Sequence, residues 1–477
     1  MEENKRRNNS LDITQVTIIV FLSVIVGSAI FLFAKQQIPL AFLILIIPFV
    51  LIVIIWVLYN PKNGIVLIFI ANYFAMGIAR YLPGPLGLSV DGLLVLTWLS
   101  VIFRQFNHKV KWIKAKNLLT LVALIWYGYA LFQLINPQVV SRAAWFYAMR
   151  GVSLYMLLMI PLVFVAFNKK EDLDKMLKWW AWFTLAGVAK GLMQQVIGPD
   201  PWENHWLATV GGKTHLLPGG LRIFSFFTDA ATYGGSMGFS GVTFGILFLH
   251  TKGRKRYFWL ITSLAAFIGM LISGTRGAIA VPFAGMGLYS ILSKKFKIVI
   301  GGFIFIFAIY GFLKFTTIGN SVYEIRRFRT GLDPNNPSLQ VRFDNQQKLK
   351  HYLADKPFGG GLGSAGNWGL RFSPGTFLAE TPTDSWYVQI WAEQGIIGLT
   401  LHLFILFFIL AYSSYYIMFI SKNEDYKGKA MALLSGMFGI MAASYGSGAL
   451  GQMPNGIIIY MSMSFIFLMK EWEKESI

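Results

Sequence analysis

Asp384 stands where a long hydrophilic segment, about 316–384, runs into apolar sequence: Thr381-Pro-Thr-Asp-Ser-Trp-Tyr-Val-Gln-Ile-Trp-Ala-Glu-Gln-Gly-Ile-Ile-Gly-Leu399. A partly desolvated carboxylate at such a water–membrane junction can take a proton from a hydroxyl. An Asp following a Pro-Thr turn also reads as the N-cap of a helix beginning near Ser385, and the two roles are compatible. Glu393 lies about two and a half turns further on, in phase with Gln389. It reads as a buried structural hydrogen-bonder, because an unpaired carboxylate at membrane depth is expensive.

Arginines near membrane depth are functional candidates for the same reason. Arg276 lies in the tight connection Ser273-Gly-Thr-Arg-Gly-Ala278, and Arg222 opens Arg222-Ile-Phe-Ser-Phe-Phe-Thr-Asp-Ala-Ala-Thr-Tyr-Gly234 just before an apolar run. Arg342 sits in the hydrophilic segment. Arg276 and Arg222 also read as interfacial anchors, and Arg342 as part of a solvated helix face. Guanidinium pairs bidentately with phosphate oxygens. Two or three arginines around one outward cavity would hold a lipid pyrophosphate and stabilise it as a leaving group. Arg150 and Lys190 read instead as partners of buried polar groups. Glu203, His205 and His215 share a loop at a spacing that matches no metal-ligand motif, so neither a metal nor a cofactor is expected.

The elements that position these residues are membrane spans. The chain has 477 residues, 55% hydrophobic and only 13% charged, too apolar for a soluble core. Runs of about 20 apolar residues recur, each long enough for a bilayer core of ~30 Å. They fall near 14–33, 38–58, 64–80, 86–103, 117–135, 146–167, 176–197, 231–250, 257–273, 277–293, 298–315, 386–420, 428–447 and 453–469. The expected fold is an all-α polytopic membrane protein of about fourteen transmembrane helices.

Basic residues set its orientation. With Lys5, Arg6 and Arg7 inside, the even-numbered connections carry Arg104 to Lys116, Lys169 and Lys170, Lys252 to Arg256, Lys294 to Lys297, and Lys422 and Lys427. All then lie on the cytoplasmic side with both termini. This accounts for the net charge of +20 without a nucleic-acid partner. Cysteine is absent, which excludes disulfides and thiol nucleophiles. The two long connections, 198–229 and 316–384, fall outside. The second contains Leu339-Gln-Val-Arg-Phe-Asp-Asn-Gln-Gln-Lys-Leu-Lys-His-Tyr-Leu353. Val341, Leu349 and Tyr352 share a face there, interrupted by Asn345, which predicts a short amphipathic helix on the outer surface.

These segments together resemble the O-antigen ligase and polymerase superfamily of bacterial envelope glycan enzymes. The Arg222–Gly234 stretch, the Ser273–Ala278 piece, and Arg342 with Pro357, Gly359, Gly361, Gly363 and the Ala392-Glu-Gln-Gly-Ile-Ile-Gly-Leu399 run carry the likeness, over roughly 222–400. The resemblance implies a donor glycan on undecaprenyl pyrophosphate, attacked by an acceptor hydroxyl outside the bacterial inner membrane, by inversion, without metal or nucleotide sugar. Arg222 and Arg276 would bind pyrophosphate; Arg342, Gly361, Gly363 and Tyr387 would contact substrate; Asp384 would act on the acceptor. A chain-length regulator or flippase would be a partner. Ligases of this family usually carry His immediately before the helix that re-enters the membrane; Asp384 stands there here, which weakens a lipid A–core ligase assignment and favours a polymerase or a more distant ligase. The expected division is 1–221 as N-terminal bundle, 222–420 as catalytic region and 421–477 as C-terminal helices. A transporter or flippase is the rival class, disfavoured by the absence of paired repeats.

Overall fold

The computed structural model describes residues 13–35, 38–82, 84, 86–107, 110–217, 220–294, short pieces between 300 and 329, and 337–475. Among these residues the protein is helical, apart from a two-stranded antiparallel ribbon that pairs Leu216 with Leu221 and Leu217 with Gly220. Among the described residues six helices are long and apolar enough to cross a bilayer: Pro61–Ile78, Leu88–Phe106, Leu118–Ile135, Arg142–Ala166, Lys255–Ile272 and Trp386–Ile420. The chain is a multi-pass membrane protein of helical class. Helices also cover the other expected spans at Ile13–Ala34, Ile38–Tyr59, Lys170–Val196, Ala230–His250, Glu424–Ala443 and Asn455–Glu475. Ala280–Leu292 follows a one-turn start at Arg276–Ile279. The expected span 298–315 lies largely outside the described residues, as do Lys5, Arg6 and Arg7.

The chain divides into two compact units, residues 1–65 with 95–109 and residues 66–94 with 110–477. In the first, Ser100 donates its hydroxyl to the Val57 carbonyl at 2.7 Å. All the site residues discussed below belong to the second. At its centre is Ala230–His250, whose Gly, Ser and Thr positions are buried except for the half-buried Gly245. Small residues let backbones approach in such helices: a methyl at Gly238 would meet Val281 and Met270, and one at Gly235 would meet Ile440 and Ala449. This small-residue face explains how a helix with few large aliphatic groups holds an interior place.

The hydrophilic segment has a core of its own. Leu349, Leu353, Ala365, Leu378, Val388 and Ala392 pack together, with Tyr352 and Trp391 against them. The helix Pro337–Tyr352 therefore docks through Leu349. Val341 is 53% exposed, outside that face. Asn345, expected to interrupt the face, is part of it: it is buried and donates to the Pro382 carbonyl at 3.4 Å. A polar side chain can join a buried face when a backbone acceptor awaits it.

Candidate active site

The helix that follows Asp384 is broken at Gly395, whose φ of 69° and ψ of −172° leave the helical region. A break frees carbonyls and amides that membrane burial cannot leave unpaired. The Gly-rich turn supplies the partners. Gly360 and Gly361 donate their N–H groups to Ala392 and Glu393 carbonyls, each at 2.9 Å, and Ile397 donates to the Pro357 carbonyl at 3.3 Å. Glu393, fully buried, accepts from Gln389 at 3.2 Å and from the Ala365 amide at 3.3 Å. It is the structural hydrogen-bonder expected from its phase.

The N-cap of this helix is Ser385, whose side chain accepts from the Val388 amide, and not Asp384. Asp and Ser are both favoured caps, so adjacent candidates are hard to separate from sequence. Asp384 is released from capping and holds a left-handed backbone, φ 50°. Its carboxylate faces Arg342 Nε at 3.4 Å, with the two side chains 47% and 40% exposed. A pair so exposed contributes at most about 1 kcal/mol to stability. It orients the carboxylate while leaving it accessible.

Asp384 lines a cavity of about 960 Å³. Its wall comes from Asn72, Met76, Ala79, Gly84 and Leu86 to Leu88, Tyr147 to Tyr155, Thr228, Gly366 to Gln389 and Gly448 to Tyr460. Arg150 is on this wall, at the start of a π-helical turn Arg150–Leu154, and is neutralised by Asp91 at 2.7 Å. Tyr155 donates to the other Asp91 oxygen at 3.1 Å. Arg150 is thus the structural partner it was expected to be, within the cavity.

Arg222 lies against the connection that carries Arg276. Arg222 donates from Nη1 to the Thr214 carbonyl and from Nη2 to Thr275 Oγ1, both at 3.0 Å. Thr275 immediately precedes Arg276 and donates its hydroxyl to the Ala230 carbonyl at 2.9 Å. His215 completes the arrangement. Its Nδ1 lies 2.9 Å from the Gly211 carbonyl and its Nε2 accepts from the Ala230 amide at 3.1 Å. These bonds define the neutral Nδ1–H tautomer. Neither Arg222 nor Arg276 is among the residues that line the cavity, whereas Thr228 and Gln452, which accepts from Thr232, are.

Burial pushes the His215 pKa down, opposed by its bond to Gly211 and assisted by the nearby Arg222 charge. The neutral ring therefore contributes stability that is complete above the unfolded value of ~6.5 and is lost as pH falls through the lower folded value. The expected result is a melting temperature in detergent that drops below pH ~6.5. His215→Gln, measured across pH 5–8, loses that part of the slope.

Of the other expected substrate residues, Gly361 and Gly363 are buried, with φ of 95° and 84°; methyls there would meet Val139 and Ala144. They seat the turn and do not line the cavity. Tyr387 donates to the Met441 carbonyl at 2.7 Å. Lys190 pairs with Asp200 and Glu203, each at 3.0 Å. The loop 444–454 carries cavity-wall residues that the sequence alone did not single out. Its Ser444 and Ser447 carbonyls accept from the Trp386 amide at 3.1 Å, and Gly448, Gly451 and Gln452 line the cavity. The run Ser444-Tyr-Gly-Ser-Gly-Ala-Leu-Gly-Gln-Met-Pro-Asn455, rich in turn formers, is the signal that could have found it.

Residues 237–403 match the model of a family described as O-antigen ligase. An O-antigen polymerase of Salmonella muenchen is 31% identical over 207 residues, covering 42% of this chain and 50% of that relative. This segment is similar to proteins of the O-antigen ligase and polymerase superfamily. It spans about half the length of the curated relative it matches. The matched segment contains Arg276, Arg342, Asp384 and the kink at Gly395. The wall residues Tyr147 and Gln452 lie outside it, as does Arg222, so the matched segment supplies only part of the cavity wall.

Proposed function

We propose that the protein is a glycan polymerase of the bacterial inner membrane. It would extend undecaprenyl-pyrophosphate-linked oligosaccharide on the periplasmic side. The observation that carries this reading is the accessible carboxylate of Asp384 on the wall of a roomy cavity. Support for a single outer face comes from the wall itself. Apart from Asn72 and Met76, which lie within a span, the wall residues lie in or beside connections that the basic-residue pattern assigns to the outer side of about fourteen spans.

In the proposed reaction Arg222 and Arg276 hold the donor pyrophosphate. Asp384 accepts the proton of an acceptor hydroxyl. The hydroxyl oxygen forms a bond to the donor's anomeric carbon from the face opposite the leaving group. The anomeric C–O bond to phosphate breaks, its electron pair leaves with the pyrophosphate, and the carbon inverts. The arginines offset the charge that develops on that leaving group, which lowers the barrier selectively. Arg342 steers Asp384 before the acceptor arrives. A chain-length regulator or a flippase would be the partner.

The second reading is ligation of a finished glycan to a lipid or protein acceptor, favoured by the description of the matching family. Deleting the gene and examining envelope glycans separates the two. Polymerase function leaves single capped repeats and no long chains. Ligase function leaves long chains on the lipid carrier. Unchanged glycans would sink both.

A further inference from the structure

We propose that the arm of the cavity walled by Tyr147, Trp368, Asn367, Arg371 and Gln389 is a saccharide subsite that stacks a sugar ring of the acceptor. This rests on the glycan reading above and adds the place where the acceptor's body is held.

The geometry is that of a platform. Tyr147 and Trp368 stack with ring centroids 5.0 Å apart and planes 25° from parallel. Phe372 backs Tyr147 at 5.3 Å and 21°. The carbon-bound hydrogens on one face of a pyranose are weakly positive and match the electron-rich face of an aromatic ring. Two guanidinium groups, Arg150 and Arg371, lie over Tyr147 at 5.0 and 5.5 Å and hold that ring in place. Around the platform Asn367, Arg371 and Gln389 offer donors and acceptors for sugar hydroxyls.

Charge separates this arm from the pyrophosphate group. Arg150 and Arg371 line the cavity with Glu380 and Asp384, so its ionic groups balance. A wall of balanced charge, aromatic faces and amides suits a hydroxyl-rich body rather than a polyanion. A volume of about 960 Å³ lies at the upper end of ligand sites, which run ~300–1,000 Å³. It has room for more than one ring. Asp384 shares the same wall, so a chain seated on Trp368 can present its terminal hydroxyl there. The segment Gly366–Phe372 that carries Trp368 packs against Arg142–Met149, which carries Tyr147. The platform therefore joins two outer connections that the sequence keeps far apart.

The test is binding, which needs no turnover. The full-length protein in detergent is titrated by calorimetry with the repeat oligosaccharide released by mild acid from the producing strain's lipid-linked glycan. Inorganic pyrophosphate is titrated in parallel. Trp368→Ala is expected to weaken the oligosaccharide about tenfold and Trp368→Phe much less. Pyrophosphate binding should be the same in all three. Asn367→Ala alters an exposed residue with no part in the aromatic stack and should weaken the oligosaccharide severalfold without touching the fold. Equal oligosaccharide affinity in Trp368→Ala and the parent protein, or no binding by the parent protein, overturns the subsite. Failure of the glycan reading shows separately, as unchanged envelope glycans in the deletion strain.

Discussion

Asp384→Asn is expected to stop glycan extension while protein levels stay normal. The loss should lie in the range of ~10²–10⁴-fold that positioned proton transfer supplies, read as repeats added per unit time by purified protein on lipid-linked substrate. Structure separates this from a folding effect. Asn tolerates the left-handed backbone at φ 50° about as well as Asp does. The ion pair lost is half exposed, and Ser385, not Asp384, caps the helix. Asp384→Gly is the complementary probe: it relaxes the backbone, removes the carboxylate, and should be equally inactive. Full extension by Asp384→Asn at normal abundance would remove the carboxylate from the mechanism and leave it as an orienting partner of Arg342.

The helices were legible because a bilayer demands length and apolarity, and both are written in composition. The run expected at 231–250 is the helix Ala230–His250. Where boundaries slipped, charge is the cause. The span expected from 176 begins at Lys170, since Glu171, Asp172 and Asp174 end an apolar run without ending backbone hydrogen bonding. Within the site, Asp384 and Arg342 were found singly, as charges beside apolar sequence, and their pairing needed coordinates. The loop 444–454 was hidden because its wall residues are Gly, Gln and Met, which carry no charge signal. The turn at Lys356–Ser364 was visible as glycines, but nothing in a glycine says whether it approaches a ligand or another backbone. Here it approaches a backbone.

That approach sets the second large effect. Gly359→Ala should disrupt the seating of the hydrophilic segment on the helix after Asp384. Gly359 holds φ 74°, and a methyl there would meet main-chain atoms of Glu393, Gln394 and Gly395. Gly395 holds φ 69°, and a methyl on it would meet Pro357 and Gly359 in return. Neither side can yield cheaply, because the atoms are backbone. Left-handed backbone in a residue with a side chain costs about 1–2 kcal/mol before any clash, and losing the bonds from Gly360 and Gly361 strands two buried carbonyls at about 1–3 kcal/mol each. The sum is comparable to a whole domain's margin of ~5–15 kcal/mol. The expected results are a severalfold drop in abundance in membranes and proteolytic cleavage near 337–384. Ser364→Ala, in the same turn, leaves backbone geometry intact and should be far milder. If Gly359→Ala accumulates normally, resists protease and still extends glycan, the turn adapts and the kink at Gly395 is held by the helix alone.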